Sequence, residues 1–143
     1  MKWLWTVAVV ALLAGATAPR AHEFKIKDLE FIHPWTREPA QGVKDVLVYM
    51  VLKNTGSTPE RIVVVSSPFA ACAELREGKA DGGRKIETIL IPQNATTELS
   101  PDGRHILLRG LTEPLDGYQY FPLVLTFERA GNVEIEVYVE ESN

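Results

Sequence analysis

The sequence predicts a single all-β domain, built as a β-sandwich or Greek-key barrel, that follows a short secretory leader. Short runs rich in Val, Ile, Leu and Tyr alternate with turn residues along the chain. Helical periodicity is almost absent after the first 21 residues. A length of 143 residues is typical of one domain, and a chain of this size closes a core without disulfides.

The candidate strands follow one another at short intervals, and each is closed by a turn. In chain order they cover 23–32, 45–53, 61–66, 73–77, 85–91, 96–99, 104–109, 121–128 and 132–140. Turn signals such as Asn54-Thr55-Gly56 and Pro101-Asp102-Gly103 separate them. Eight or nine strands at this spacing are typical of a sandwich or a barrel.

The last two strands show the strictest alternation. Leu123, Leu125 and Phe127 share one face of the first, and every second residue from Val133 onward is apolar in the other. Strict alternation predicts one buried face and one face in water. The pair Ala130-Gly131 predicts a tight hairpin between the two strands.

The N-terminus has the pattern of a secretory signal. Lys2 is followed by an uncharged apolar stretch and then by small residues that suit cleavage. The apolar stretch is too short to span a bilayer. We therefore predict a signal peptide over 1–21, cleaved somewhere between 16 and 21, and a mature periplasmic domain over 22–143. Cleavage after Ala21 would make His22 the first residue.

Charge and motif content exclude several functional classes. The net charge is −4, and loss of the leader removes Lys2 and Arg20 but no acid, which leaves −6. An acidic chain without Lys/Arg clusters is unsuited to nucleic acid. The sequence contains no Gly-rich phosphate loop, no G-x-S-x-G and no H-E-x-x-H, so we do not expect an enzyme.

Cys72 is the single cysteine, so the fold has no internal disulfide. The simplest expectation is a small buried apolar residue. The alternative is a thiolate ligand or a redox thiol, because period-two alternation places Cys72 and Glu74 on the same face as Arg76.

Seven stretches, in order along almost the whole mature chain, resemble the PCu(A)C family of periplasmic copper chaperones. They are 33–37 (HPWTR), 49–56 (YMVLKNTG), 66–70 (SSPFA), 73–77 (AELRE), 91–92 (IP), 99–111 (LSPDGRHILLRGL) and 122–128 (PLVLTFE). The resemblance implies a cupredoxin-like β-sandwich or barrel. It also implies copper delivery related to cytochrome c oxidase, with a copper-accepting oxidase subunit or a Sco-type assembly protein as partner.

The family's copper site, as the resemblance implies it, contains two His and two Met. His105 matches the second His, but Leu107 stands at the position of its Met partner and Arg76 at that of the first His. The hairpin over 78–85 contains no Met. Of the two Met in the chain, Met1 is in the leader and Met50 is expected in the core.

We expect a site without thioethers to hold copper through imidazole, amine or thiol groups. We therefore predict His105 as the remaining metal ligand, with His22 and Cys72 as candidate helpers. Backbone bonding of His105 in a turn is the structural alternative. His33 is expected to pack with Pro34 and Trp35. The alternative function is a metal-free interaction module of the cell envelope on the same scaffold.

Overall fold

The structure is a computed structural model that describes residues 23–79 and 83–143, and within these residues the chain forms eleven strands and no helix. The strands are β1 Glu23–Ile26, β2 Leu29–Arg37, β3 Val46–Asn54, β4 Glu60–Ser66, β5 Ala70–Glu77, β6 Arg84–Ile86, β7 Ile89–Ile91, β8 Ala95–Leu99, β9 Arg104–Leu111, β10 Tyr120–Phe127 and β11 Gly131–Glu140. The predicted all-β class is confirmed.

Two predicted strands are each divided in two, which accounts for the higher strand number. The run 23–32 turns back on itself at Lys27, whose φ is +51°, so that β1 pairs antiparallel with β2. The run 85–91 is interrupted after Ile86, because β6 pairs with β5 whereas β7 pairs with β4. A continuous apolar run in a sequence gives no indication that its two halves pair with different strands.

The strands form one strongly bent sheet in the order β6-β5-β9-β3-β2-β11-β10-β4-β7. Strand β3 pairs with β9 through its first half and with β8 through its second. The parallel pair β2–β11 joins an early strand to the last one. Neighbours that are distant in sequence are typical of Greek-key connections, and the sandwich or barrel prediction is confirmed.

The core lies between the inner faces of the bent sheet. In β10 and β11 the predicted alternation is confirmed, with Leu123, Leu125 and Val137 fully buried and Glu134 exposed. Gly131 takes a φ of +73° at the predicted hairpin. Met50 is 2 % exposed and belongs to the same core. Burial of apolar area at about 25 cal/mol per Å² supplies the main stabilisation.

A β-bulge in β2 decides which of its side chains face outward. The register against β3 shifts between Ile32 and Trp35, and His33 has a φ of +47°. Phe31 and Thr36 are consequently both fully buried although they are five positions apart. The Thr36 hydroxyl donates to the Leu47 carbonyl at 2.6 Å. Trp35 is left on the outer surface.

The predicted leader over 1–21 and His22 lie outside the described residues. In the part of the chain that the structure describes, we find no helix with the length and apolarity needed to cross a membrane.

Replacing Met50 by alanine should lower the free energy of unfolding by about 2–5 kcal/mol, because it opens a cavity in the core. Met50→Leu should cost less than about 1.5 kcal/mol, since the volume is nearly kept. Urea unfolding measures both changes. Val64→Ala is the control, because Val64 is 53 % exposed. A cost for Met50→Ala no larger than that of the control would contradict this assignment.

Candidate metal centre

One row of side chains crosses the outer face, by which we mean the side of the sheet turned away from the core. Strand pairing aligns its members, each on a neighbouring strand. Rings of consecutive members are 5.0 to 6.3 Å apart where they contact. In spatial order the row is Tyr120, Tyr138, Trp35, Tyr49, His105, Arg76 and Lys85.

His105 lies on the outer face because Ile106 and Leu108, its neighbours in β9, are fully buried in the core. The imidazole is nevertheless fully buried itself. Its ring meets Tyr49 edge-on at 6.3 Å, and Arg76 is its partner on β5. The predicted ligand is thus enclosed within the row.

The two nitrogens of His105 have different surroundings. Nδ1 is 3.1 Å from the Gly103 carbonyl oxygen. Because a carbonyl can only accept, Nδ1 carries the proton of the neutral ring and Nε2 carries the lone pair. Nε2 is buried and has no hydrogen-bond partner among the described residues. A buried acceptor without a partner is costly, and a backbone-oriented imidazole is the usual form of a metal-binding histidine.

Arg76 faces His105 from β5 and is held in place on two sides. Its Nη1 donates to Glu74 Oε2 at 2.9 Å, and its Nη2 donates to the Gly83 carbonyl. Arg109 Nε approaches the other carboxylate oxygen of Glu74 at 3.8 Å. Only 19 % of the Arg76 side chain and 16 % of the Glu74 side chain are exposed, so water screens this pair less than a surface pair.

The donor set around His105 is incomplete. A guanidinium is permanently cationic and cannot bind a metal, so Arg76 contributes nothing in place of a histidine. Leu107, two residues after His105, is half-buried opposite Glu74 and has no sulfur. Across 23–79 and 83–143, no three His, Cys, Asp or Glu side chains form a group that could hold a metal ion.

Cys72 is exposed, and the expectation of a buried residue is wrong. Its strand partner is Arg109, whereas that of Arg76 is His105. The predicted common face with Glu74 and Arg76 follows from this register. Four residues at about 3.3 Å per residue separate Cys72 from Arg76 by roughly 13 Å. The structure therefore does not bring Cys72 and His105 together, and His22 lies outside the described residues.

His33 is not a member of the row, but it lies beside Trp35 and has structural contacts there. Its Nε2 lies 3.4 Å from Glu140 Oε1, and its ring stacks on Trp35 at 6.4 Å. The expected packing of His33 with Trp35 is confirmed. These contacts hold β2 against β11 beside the bulge.

Two residues near the site have roles that the sequence did not reveal. Glu74 orients Arg76 through their ion pair. The only sequence signal for this contact is an acid and a base two residues apart in one strand. Tyr49 is 9 % exposed and packs against His105 on the outer face. Burial raises the pKa of the Tyr49 phenol; the Arg37 charge lowers it and the Asp102 charge raises it by smaller amounts.

Comparisons with known proteins agree with this architecture. The model of a family described as "Putative lipoprotein LpqE-like" matches residues 29–139. A protein named "Putative lipoprotein Lxx21020" from Leifsonia xyli subsp. xyli is 28 % identical over 153 residues, covering 98 % of this chain and 91 % of its own length.

Two solved structures superpose closely on the chain. The apo PCuAC domain from PmoF1 has a TM-score of 0.76 at 29 % identity, covering 85 % of this chain and all of that domain. The copper-bound PCuAC domain from PmoF2 has a TM-score of 0.74 at 26 % identity, covering 85 % of this chain and 99 % of that domain. The expected similarity to PCuAC domains and the cupredoxin-like fold are confirmed.

The raised pKa of Tyr49 predicts a loss of stability at alkaline pH. The folded chain holds the phenol proton more tightly than the unfolded chain, in which the pKa of this phenol is near 10.0. The stabilisation is therefore complete below that pH and is lost as the pH rises through the folded-state pKa. Urea unfolding between about pH 9 and 11 should show a smaller loss in Tyr49→Phe than in the native chain. Equal losses would contradict the assignment.

Proposed function

The chain belongs to the LpqE-like family, and from that membership and the PCuAC fold we propose that it is an exported copper-handling protein of the copper-chaperone type. His105 is the ligand through which copper, as cargo, is held. The observation that carries the proposal is the buried Nε2, which has a free lone pair and no partner in the described part of the chain.

The donor set implies weak and exchangeable binding. Imidazole accepts copper in both oxidation states, whereas thioethers would select Cu(I). With one imidazole fixed by the fold, the remaining coordination positions are open to His22, to small molecules or to a receiving protein. An open coordination sphere favours transfer, because an acceptor can bind the metal before His105 releases it.

Export and partners complete the proposal. The relative from Leifsonia is named as a putative lipoprotein, which together with the leader pattern over 1–21 supports export, and as the compartment we propose the periplasm. The PmoF2 domain is described as copper-bound, which supports copper as the cargo. As receiver we propose a copper-accepting oxidase subunit or a Sco-type assembly protein.

A second candidate function is supported by the Arg76–Glu74 ion pair. A cation fixed opposite His105 opposes the approach of a metal ion by charge repulsion. In this alternative the chain is a metal-free interaction module of the cell envelope, and the outer face is its contact surface. Copper binding decides between the two functions.

Copper titration of the chain from residue 22 onward should show binding of about one equivalent, weakened about tenfold or more by His105→Ala. His33→Ala is the matched control and should leave the affinity unchanged, since His33 lies outside the site.

Trp35 is the only Trp in 22–143. It is linked to His105 through Tyr49, with ring centroids 5.0 and 6.3 Å apart, so its fluorescence reports copper at the site.

The titration is performed with Cu(I) under reducing conditions and with Cu(II) in air. Equal quenching in the native chain and in His105→Ala would refute the role of His105. Absence of binding in both oxidation states would refute copper handling and leave the metal-free module.

The contribution of His22 depends on where the leader is cleaved. Mass spectrometry of the exported chain should give His22 as the first residue. In that case the terminal amine and the imidazole together bind Cu(II) through nitrogen, and His22→Ala should weaken Cu(II) binding while leaving Cu(I) binding unchanged. Cleavage before Ala21 would exclude this chelate.

A further inference from the structure

We propose that Glu74 is a latent second copper ligand beside His105, and that Arg76 suppresses it by holding its carboxylate in an ion pair. This inference rests on the proposed function only in that His105 binds copper. It assigns to the site a carboxylate ligand that the two-His, two-Met pattern does not contain.

The strand register places Glu74 within reach of His105. Arg76 pairs with His105 and Glu74 pairs with Leu107, so Glu74 and His105 are diagonal neighbours on the outer face. Diagonal neighbours lie about 7–8 Å apart in an antiparallel pair. Carboxylate oxygen and imidazole nitrogen each bind a metal at about 2 Å, and their side chains are long enough to meet at one ion between them.

The His105 ring supplies independent support for a ligand at this position. It is fully buried, and among the described residues the ring forms its hydrogen bond through Nδ1. Nε2 is left without a partner among the described residues. Arg76, the nearest cation in register, donates instead to Glu74 and to Gly83. The orphaned nitrogen and the Glu74 carboxylate are therefore two potential donors on adjacent strands, and one guanidinium holds the carboxylate in an ion pair.

Both oxygens of Glu74 have cationic neighbours, but the two contacts differ. Arg76 donates to Oε2 at 2.9 Å from a largely buried position, whereas Arg109 lies 3.8 Å from Oε1 and is half exposed. Removing Arg76 should release the carboxylate toward His105. Removing Arg109 should leave the shorter contact intact. The chain thus offers a matched pair of arginines of equal charge.

The released pair would favour Cu(II). Nitrogen and oxygen donors suit the tetragonal geometry of Cu(II), and neither His105 nor Glu74 supplies the soft sulfur that selects Cu(I). The guanidinium therefore acts as an internal competitor that keeps copper affinity low.

The test compares Arg76→Gln with Arg109→Gln in chains that carry His22→Ala, so that the terminus does not chelate. The probe is Cu(II) alone, followed by Trp35 fluorescence and by electron paramagnetic resonance. Arg76→Gln should raise the affinity about tenfold or more and give a signal with one nitrogen and one oxygen donor from the chain. Arg109→Gln should change the affinity less than twofold.

The gain must depend on both ligands. Adding Glu74→Gln to Arg76→Gln should abolish the gain, and adding His105→Ala should abolish it as well. A gain that survives Glu74→Gln would mean that Arg76 acts only through its charge, and this overturns the assignment of Glu74. An unchanged affinity in Arg76→Gln also overturns it.

Failure of the proposed function gives a different result. In that case His105→Ala has no effect on copper binding in any background, including the native one.

Circular dichroism and thermal unfolding verify that each variant is folded. If Arg76→Gln does not fold, Arg76→Lys replaces it, because lysine cannot contact Glu74 and Gly83 together in the geometry of the guanidinium. Arg76→Lys should then give a smaller gain, and no gain overturns the proposal.

Discussion

The pairing of β5 with β9 is the constraint on which the candidate site depends. It sets Arg76 opposite His105 and Glu74 opposite Leu107. The register is fixed from the other side of the sheet, where Leu75, Ile106 and Leu108 are buried in the core. A slip of one residue would turn these apolar side chains into water and the charged ones into the core. The geometry of the site is therefore a consequence of core packing.

The same pairing gives the site two opposing properties. The Gly103 carbonyl prepares the His105 imidazole as a donor, while the Arg76 charge across the strand pair disfavours any incoming cation. The ion pair with Glu74 limits the cost of burying that charge, because an arginine with 19 % of its side chain exposed needs a counterion. The outcome is an imidazole with a lone pair that a metal could use, beside a charge that would oppose the approach of that metal.

The sequence predicted those features that depend on local alternation. Leu123 and Val133 are predicted in the core because each fits a period of two, and Met50 because it lies in a β-rich run; this is where all three lie. The prediction failed for Cys72, which is exposed because the described residues do not cover the outer face at the start of β5. The burial of His105 also escaped prediction, because it depends on Tyr49 and Arg76 from neighbouring strands. Long-range pairing is not encoded in the period of one strand.

Core residues and site residues lie on opposite faces of the sheet, and this separation explains how the residues of the site can differ without loss of the fold. Every large side chain of the core lies on the inner face, and the outer face contributes Tyr49, Trp35 and His105 through packing of rings. Small zinc domains unfold without their metal because the ions replace a core, whereas here the core forms from Phe31, Leu123 and their neighbours alone. Residues 76 and 107 can therefore vary while the scaffold persists. The stability of the fold is decided on the inner face, whereas the outer face carries the residues of the proposed copper site.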